Sequence, residues 1–259
     1  MILYKYLSFC NGLKVIKGNK ISFTQPDYFN DPFDAPIFER SDSSDYVSRV
    51  LGNIRSEIKS NVMREKYGIL SLTRLPNNPL MWAHYAESHE GIVIGINIKK
   101  AGFLCEKTNF IPASFGSVIY SNSRPGMVSN LAPEHGLRLG DTHAFPREHY
   151  EKLQNLFLTK PMCWAYEEEV RVVKCLNGIS SDKRQNDSGN FDFCSLENNK
   201  ELYLYKLPDN SIEEVYVGVK MNEEQITDLR STMTDSIPGR KLYRCALDNK
   251  KYTINSFTE

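Results

Sequence analysis

Three short motifs hold most of the residues that could do chemistry. They are FNDPFD at residues 29–34, MWAHY at residues 81–85 and WAYEEEVR at residues 164–171. Each motif sets carboxylate, amide or imidazole groups beside aromatic rings. That composition is typical of a ligand pocket with a few convergent polar groups. We therefore predict that the three motifs line one site, although they lie far apart along the chain.

The WAYEEEVR motif gives the strongest chemical signal. Alternate side chains of a β-strand share a face, so Glu167, Glu169 and Arg171 should lie together. The opposite face is then taken by Glu168, Val170 and Val172, and the valines favour the core. The polar face must meet solvent, where ion pairs contribute little, or line a cleft. In a cleft, one carboxylate could activate a hydroxyl while the other stabilises positive charge.

The other two motifs carry weaker signals. Asp31 or Asp34 could accept a hydrogen bond from a ligand hydroxyl, or the loop could be a turn in which Asn30 and Asp31 bond backbone amides. His84 is a candidate catalytic residue, although a lone histidine is more often structural. His89 follows five residues later and diverges from His84 on a helix, so the two do not easily share a metal.

Composition narrows the classes of function. The 259 residues are 41% hydrophobic and 11% aromatic, which suffices for a substantial core. Lysine plus arginine equals aspartate plus glutamate at 32 each, so no net charge draws the protein to nucleic acid or to an anionic membrane. The six cysteines form no CxxC pair, which argues against zinc and against a disulfide scaffold. GxGxxG, Walker, GxSxG and HExxH motifs are missing from the sequence.

The expected location is the cytoplasm, with no membrane partner. The sequence has no run of 18 apolar residues that could span a bilayer, and its first ten residues do not resemble a signal peptide. Scattered reduced thiols fit the same compartment.

Hydrophobic periodicity predicts the elements that position the motifs. Strands are predicted at residues 3–6, 20–24, 68–73, 91–98, 116–121, 168–174, 202–207, 212–219, 241–247 and 251–257. Residues 91–98 are almost all apolar, which indicates a central strand buried on both faces. The last two strands flank Asp248 and Asn249, a spacing typical of a tight hairpin.

Helices are predicted between these strands. They cover residues 79–89, residues 149–159, a segment from Ser44 or Asp45 to about residue 67, and a segment from a capping box at Asn222 and Gln225 to about residue 233. The helix that starts at Ser44 or Asp45 has apolar residues at helical spacing: Val47, Val50, Leu51, Ile54, Ile58 and Val62. Residues 122–147 form a long loop that we expect to act as a lid or a partner-binding segment. The whole chain, residues 1–259, is thus predicted to be a single α+β domain. Its sheet should be curved or split and mostly antiparallel, with flanking helices.

The motif set resembles the bacterial domain-of-unknown-function family numbered 2971. Members of that family open with LYKY, here residues 3–6, and continue with FNDPFD and a strand of the GILSLT kind, here residues 68–73. MWAHYA with a downstream H-x-G follows, and a W-x-Y-E-x-E-x-R strand closes the set. The match extends over residues 3–255. The family's name implies no settled activity.

The order of elements also resembles, more weakly, that of ADP-ribosyltransferase-like folds. Those folds present an aromatic residue or histidine on the first strand, a Ser/Thr strand next and a glutamate strand later. The candidates here are Tyr4 or Tyr6, then Ser22 or Thr24, then Glu167 and Glu169. The two glutamates are similar to the E-x-E of some transferases, in which the second glutamate is catalytic. The sequence departs from the pattern because it has neither a histidine on the first strand nor a Ser-Thr-Ser triplet.

This second resemblance implies an NAD-consuming ADP-ribosyltransferase or glycohydrolase that acts as a bacterial toxin or phage-defence effector. Glu169 would hold the nicotinamide ribose and stabilise an oxocarbenium-like state, as carboxylates do in glycoside cleavage. Glu167 would position the acceptor, a protein or a nucleic acid, and Arg171 would orient the glutamates or meet a phosphate. The other expected nucleotide contacts, whose aromatic members would stack on a flat ring, are Tyr4, Tyr6, Asn30, Asp31, Asp34, Ser71, Trp82, Tyr85 and Trp164.

Two alternatives stay open at this point. One is a metal-dependent nuclease, in which carboxylates gather magnesium, the candidates being Asp31, Asp34, Glu167 and Glu169. The other is a non-catalytic module that senses a ligand or binds a protein in a defence system. The sequence does not indicate an oligomeric state.

Overall fold

The computed structural model describes residues 1–34, 43–124, 147–195 and 201–259. In these ranges the helices are α1 (Phe9–Gly18), α2 (Tyr46–Lys66), α3 (Pro79–Tyr85), α4 (Arg147–Phe157) and α5 (Glu223–Ser236). The strands are β1 (Ile2–Leu7), β2 (Lys20–Phe23), β3 (Tyr67–Thr73), β4 (Ile92–Asn97), β5 (Ile119–Ser121), β6 (Thr159–Pro161), β7 (Glu169–Cys175), β8 (Gln185–Asn186), β9 (Gly189–Ser195), β10 (Glu201–Lys206), β11 (Ile212–Val217), β12 (Lys241–Leu247) and β13 (Ile254–Thr258).

A seven-stranded sheet organises the protein, in the order β13-β12-β11-β4-β1-β3-β7. All of its neighbouring strands are antiparallel except β11 and β12, which are parallel. A four-stranded sheet has the order β2-β10-β9-β8, and β5 pairs with β6. The predicted α+β class with a mostly antiparallel sheet and flanking helices is confirmed.

Strand β4 is the middle strand of the large sheet, as its continuous apolar sequence predicts. Ile92, Ile94 and Ile96 point into the main core, whereas Val93 belongs to a cluster on the other face that includes Trp82. Covering both faces explains why the strand shows no alternation of polar and apolar residues.

The register of three neighbouring strands positions the candidate site. Tyr4 on β1 lies opposite Thr73 on β3, and Thr73 lies opposite Glu169 on β7. These three residues therefore form a row across one end of the sheet. Ser71 is paired with Arg171 two residues further along.

Three predicted elements differ from the structure. Helix α3 ends at Tyr85 and not at residue 89, because Glu87, Ser88 and His89 have φ angles of 51°, 53° and 77°, which a right-handed helix cannot contain. Only residues 119–121 of the strand predicted at 116–121 form β5.

The predicted tight hairpin at the last two strands is wrong. Leu247 pairs with Ile254, so six residues separate the strands. Asp248 folds this longer loop, because its carboxylate accepts hydrogen bonds from the backbone N–H groups of Lys250 and Lys251.

The structure does not test the lid predicted at residues 122–147. That segment falls largely on residues 125–146, which lie outside the described residues. Among the residues that the structure does describe, no helix has both the length and the apolar character needed to cross a membrane.

Candidate functional site

The three motifs meet at one cavity of about 260 Å³. FNDPFD contributes Asn30, Asp31 and Asp34, MWAHY contributes Met81 and Tyr85, and WAYEEEVR contributes Trp164, Glu167 and Glu169. The sheet and the segment before the third motif complete the wall with Tyr4, Lys5, Tyr6, Ser71, Thr73 and Lys160.

Arg171 lies beneath the cavity and anchors two of its carboxylates. Its guanidinium is only 1% exposed. Nη2 is 2.6 Å from Asp34 Oδ1, and Nε is 2.8 Å from Glu169 Oε1. Nη1 donates to the carbonyl of Phe157 over 2.7 Å. A buried guanidinium needs such complete pairing, and here the pairing ties the FNDPFD loop to the edge strand β7.

Lys160 is a second buried cation within the same cluster. Its Nζ lies 2.6 Å from Glu167 Oε2, 3.3 Å from Glu169 Oε2 and 3.5 Å from Asp34 Oδ2. Burial by itself would lower the pKa of Lys160, but the charges of Glu169, Asp34 and Glu167 raise that pKa above its ordinary value. Lys160 therefore stays charged and holds the three carboxylates around a single point.

A kink in the chain brings Glu167 to Glu169. Residues Met162–Glu167 form a 3-10 helix, and Glu168 follows it in the left-handed conformation with φ of 44°. Strand β7 begins only at Glu169. Glu167 and Glu169 share the cavity as predicted, but the kink and not strand alternation is the reason. Glu168 is exposed.

The environments of the two glutamates push their pKa values apart. Burial would raise the pKa of Glu169, but Arg171, Lys160 and a hydrogen bond from Ser71 lower it from 4.5 to about 2. For Glu167, burial outweighs Lys160 and the hydroxyl of Tyr85, so the pKa rises above 4.5. The Tyr85 hydroxyl donates to Glu167 Oε1 over 2.6 Å. Glu169 is thus a fixed negative charge, whereas Glu167 can exchange a proton more readily.

Aromatic rings frame these charges. The ring of Trp164 lies 5.1 Å from Lys160 Nζ, and the ring of Phe29 lies 5.6 Å from the Arg171 guanidinium, both within range of cation–π attraction. The Tyr4 hydroxyl donates to Glu214 over 3.2 Å. The Tyr6 hydroxyl donates to the Leu75 carbonyl, so its polar end serves the fold.

The first motif forms the turn that was one of its two expected roles. Asp31 Oδ1 accepts a hydrogen bond from the backbone N–H of Phe33 over 2.9 Å, as in the predicted turn. Asp31 Oδ2 is buried and has no hydrogen-bond partner among the described residues. Asp31 is also one of the residues that line the cavity.

Comparison with known proteins bears on two of the motifs. Residues 81–172 match the family described as Protein of unknown function (DUF2971). The sequence resemblance to that family is confirmed over this region, which contains MWAHY, Lys160 and WAYEEEVR. No curated protein and no solved structure matches the chain. The weaker resemblance to ADP-ribosyltransferases stays a prediction.

Besides the buried Arg171, two predicted site residues do not line the cavity, namely Trp82 and His84. The side chain of Trp82 is completely buried in the core, where its indole N–H donates to the Pro76 carbonyl. Stacking on a ligand ring therefore does not fit Trp82. His84 is exposed on the outer side of α3, 6.2 Å from the ring of Tyr166. Met81 and Tyr85, one helical turn apart, are the residues that α3 turns toward the cavity.

Two cations at the cavity are missing from the sequence-based prediction. Lys160 stands outside all three motifs, and Lys5 lies within the LYKY segment between the two tyrosines. Lys5 Nζ donates to the Ser71 carbonyl over 2.9 Å, and burial lowers its pKa. The signal that could have pointed to them is electrostatic, since three carboxylates cannot share a buried site without cations.

Proposed function

We propose that the cavity cleaves the bond between nicotinamide and ribose in NAD, as a glycohydrolase or an ADP-ribosyltransferase. One observation carries the proposal, namely two glutamates that share Lys160 and have pKa values shifted in opposite directions. Carboxylates separated in this way can serve as a permanent charge and as a proton acceptor within one site.

Each glutamate has its own part in the proposed reaction. The bond between ribose C1′ and the nicotinamide nitrogen breaks, and its electron pair leaves with nicotinamide. Positive charge builds up on the ribose, where the ionised carboxylate of Glu169 stabilises it. A water or an acceptor hydroxyl of a protein or nucleic acid then bonds to C1′, and its proton passes to Glu167.

The size of the cavity favours one end of the substrate. Ligand pockets usually measure roughly 300–1,000 Å³, so a cavity of about 260 Å³ suits a ring and a ribose better than a whole dinucleotide. The nicotinamide riboside end would enter between Trp164 and Tyr85, with the carboxylate of Asp31 accepting from a ribose hydroxyl. The diphosphate and adenosine would extend out of the cavity mouth.

The nuclease alternative has less support. Magnesium bound by Asp34, Glu167 and Glu169 would have to occupy the point where Lys160 Nζ lies within 3.5 Å of all three carboxylates. Within the described part of the chain, no group of three histidine, cysteine, aspartate or glutamate residues has an arrangement suited to a metal ion.

Incubation of the purified protein with NAD tests the proposal. Release of nicotinamide, detected by chromatography and not reduced by EDTA, supports the proposal. Binding of NAD in calorimetry with no release of nicotinamide would favour a sensing module, and degradation of nucleic acid that requires added metal would favour a nuclease. As a toxin or phage-defence effector, the protein should also lower NAD in cells that express it.

A further inference from the structure

Two lysines line the cavity, and their surroundings are opposite in kind. Lys160 Nζ lies within 3.5 Å of three carboxylates, which raise its pKa. Lys5 forms no ion pair with any carboxylate that the structure describes, and its Nζ makes one hydrogen bond, to the Ser71 carbonyl over 2.9 Å. The role of a fixed positive charge therefore belongs to Lys160, and Lys5 has a different part to play.

The contact between strands β1 and β3 explains where Lys5 lies. The two strands pair through Tyr4 and Thr73. Two residues before Thr73, the Ser71 carbonyl accepts its hydrogen bond from the Lys5 side chain instead of from the backbone of β1. Lys5 is half-buried and lines the cavity together with Ser71. The opening of the sheet at this point thus sets an amine at the cavity wall.

The surroundings of Lys5 favour reaction of its amine with a carbonyl compound. A carbonyl oxygen only accepts, so the bond to Ser71 uses an N–H and leaves the lone pair of the neutral amine unengaged. Burial lowers the pKa of Lys5, and so does the charge of Lys160, against the opposing charges of Glu169 and Glu167. Only the unprotonated amine is a nucleophile. Burial beside a second cation is one of the arrangements that activate a lysine to form Schiff bases.

The same cavity holds the carboxyl groups that this reaction needs. Burial raises the pKa of Glu167, so Glu167 can donate a proton more readily than an ordinary glutamate. Glu169 stays ionised and offers a negative charge to a cation formed in the cavity.

We propose that Lys5 forms a Schiff base with the open-chain aldehyde of a ribose held in the cavity. The cavity wall carries hydroxyl, amide and carboxylate side chains that suit the other hydroxyls of a sugar, at Thr24, Asn30 and Asp31. Cleavage of NAD by water would produce such a sugar in place, because ADP-ribose has a free C1′ that opens to an aldehyde. The origin of the sugar therefore rests on the proposed function, whereas the reaction of Lys5 with an aldehyde does not.

The reaction proceeds in two balanced steps. The amine nitrogen of Lys5 bonds to the aldehyde carbon, and one proton moves from nitrogen to oxygen to give a carbinolamine. Glu167 then donates a proton to the carbinolamine hydroxyl, which leaves as water while the nitrogen lone pair forms the C=N bond. The resulting iminium keeps one N–H for the Ser71 carbonyl. Its positive charge faces a cavity that contains the ionised Glu167 and Glu169.

Borohydride trapping with ADP-ribose tests the proposal on the intact protein. Sodium borohydride added at the end of the incubation reduces the C=N bond, so the adduct adds the mass of ADP-ribose less one oxygen atom. Peptide mass spectrometry should place the adduct on Lys5, and fragmentation separates Lys5 from the α-amine of Met1. Lys14 on α1 is exposed and serves as the internal control. We expect Lys5 to be labelled at least about tenfold more than Lys14.

Three variants assign the roles of the side chains. Lys5→Arg keeps a positive charge but forms no Schiff base, so the label at residue 5 should disappear. Glu167→Gln should slow the labelling of Lys5 by roughly tenfold or more, because it removes the acid. Glu168→Gln is the matched control, since Glu168 is exposed, and it should leave the labelling unchanged. Circular dichroism should show the parent's fold in each variant.

The parent protein alone can overturn the proposal, whatever the variants do. Labelling of Lys5 that does not exceed the labelling of Lys14 would do so. A second incubation, with NAD in place of ADP-ribose, separates this proposal from the proposed NAD cleavage. Labelling by ADP-ribose but not by NAD, with no release of nicotinamide, would support the Schiff base and refute the cleavage. Release of nicotinamide while Lys5 stays unlabelled by both compounds would overturn the Schiff base and leave the cleavage standing.

Discussion

Arg171→Met should destabilise the protein strongly, because it leaves the charge cluster one cation short. The substitution keeps much of the length of the buried side chain. It removes the contacts to Asp34 and Glu169 at 2.6 and 2.8 Å and the hydrogen bond to the Phe157 carbonyl. Removing one partner of a buried ion pair costs about 3–5 kcal/mol. That is a large fraction of the roughly 5–15 kcal/mol that stabilises a typical domain.

Urea unfolding at about pH 7 and about pH 4 measures this cost and identifies its origin. Without Arg171 the pKa of Glu169 should rise, so protonation should relieve the variant and the loss should be smaller at the lower pH. Arg230→Met removes an exposed partner of Glu259 and should leave stability almost unchanged. A loss below about 1 kcal/mol would show that water already screens the cluster. An equal loss at both pH values would assign the effect to packing instead of charge.

Three further changes have defined outcomes. Ile94→Asp should cost several kcal/mol by burying an unpaired charge in the central strand, whereas Leu247→Asp, at an exposed position of β12, should not. Equal melting temperatures for Ile94→Asp and the parent would contradict the predicted core. Burial lowers the pKa of Lys174 from 10.5 to about 7. Between these two pKa values, Lys174 is protonated in the unfolded chain and neutral in the folded chain. The contribution of Lys174 to the free energy of unfolding therefore rises with pH. The stability of Lys174→Met relative to the parent should therefore rise by roughly 2–3 kcal/mol on going from about pH 9 to about pH 6. A difference between the two proteins that does not depend on pH would show that the Lys174 pKa is not lowered. Tyr85→Phe removes a hydrogen bond that lowers the pKa of Glu167, so the acidic limb of the NAD-cleavage profile should move to higher pH, and an unmoved limb would remove Glu167 as the proton acceptor.

Local patterns predicted the elements well where one physical signal dominated. Continuous apolar sequence indicated the central strand β4, and the capping box at Asn222 and Gln225 begins α5 as expected. The tight hairpin failed because the carboxylate of Asp248 organises a longer loop, which strand spacing does not reveal. The apolar spacing of α2 predicted its helix but could not indicate that these apolar residues are exposed.

The sequence indicated which motifs form the candidate site but not how the charges within the site are paired. The composition of the three motifs indicated a shared pocket, and the structure brings them to one cavity. Lys160 and Lys5 could not be predicted as site residues, because each is an isolated lysine in the sequence. Their place in the site depends on the buried carboxylates and carbonyls that surround them in the fold. Likewise, the pairing of Arg171 with Asp34 joins residues 137 positions apart, which no local pattern records.

The most direct test of the proposed activity compares Glu169→Gln with Glu168→Gln in the NAD-cleavage assay. Glutamine keeps the shape of Glu169 but removes the charge that would stabilise the ribose, so turnover should fall by roughly two to four orders of magnitude. Circular dichroism should confirm that this variant still folds. Glu168 is exposed and lies outside the cavity wall, so Glu168→Gln should retain the parent's activity. In cells, only Glu169→Gln should relieve the loss of NAD. Equal activity of a folded Glu169→Gln variant and the parent would contradict the assignment of this cavity as the catalytic site.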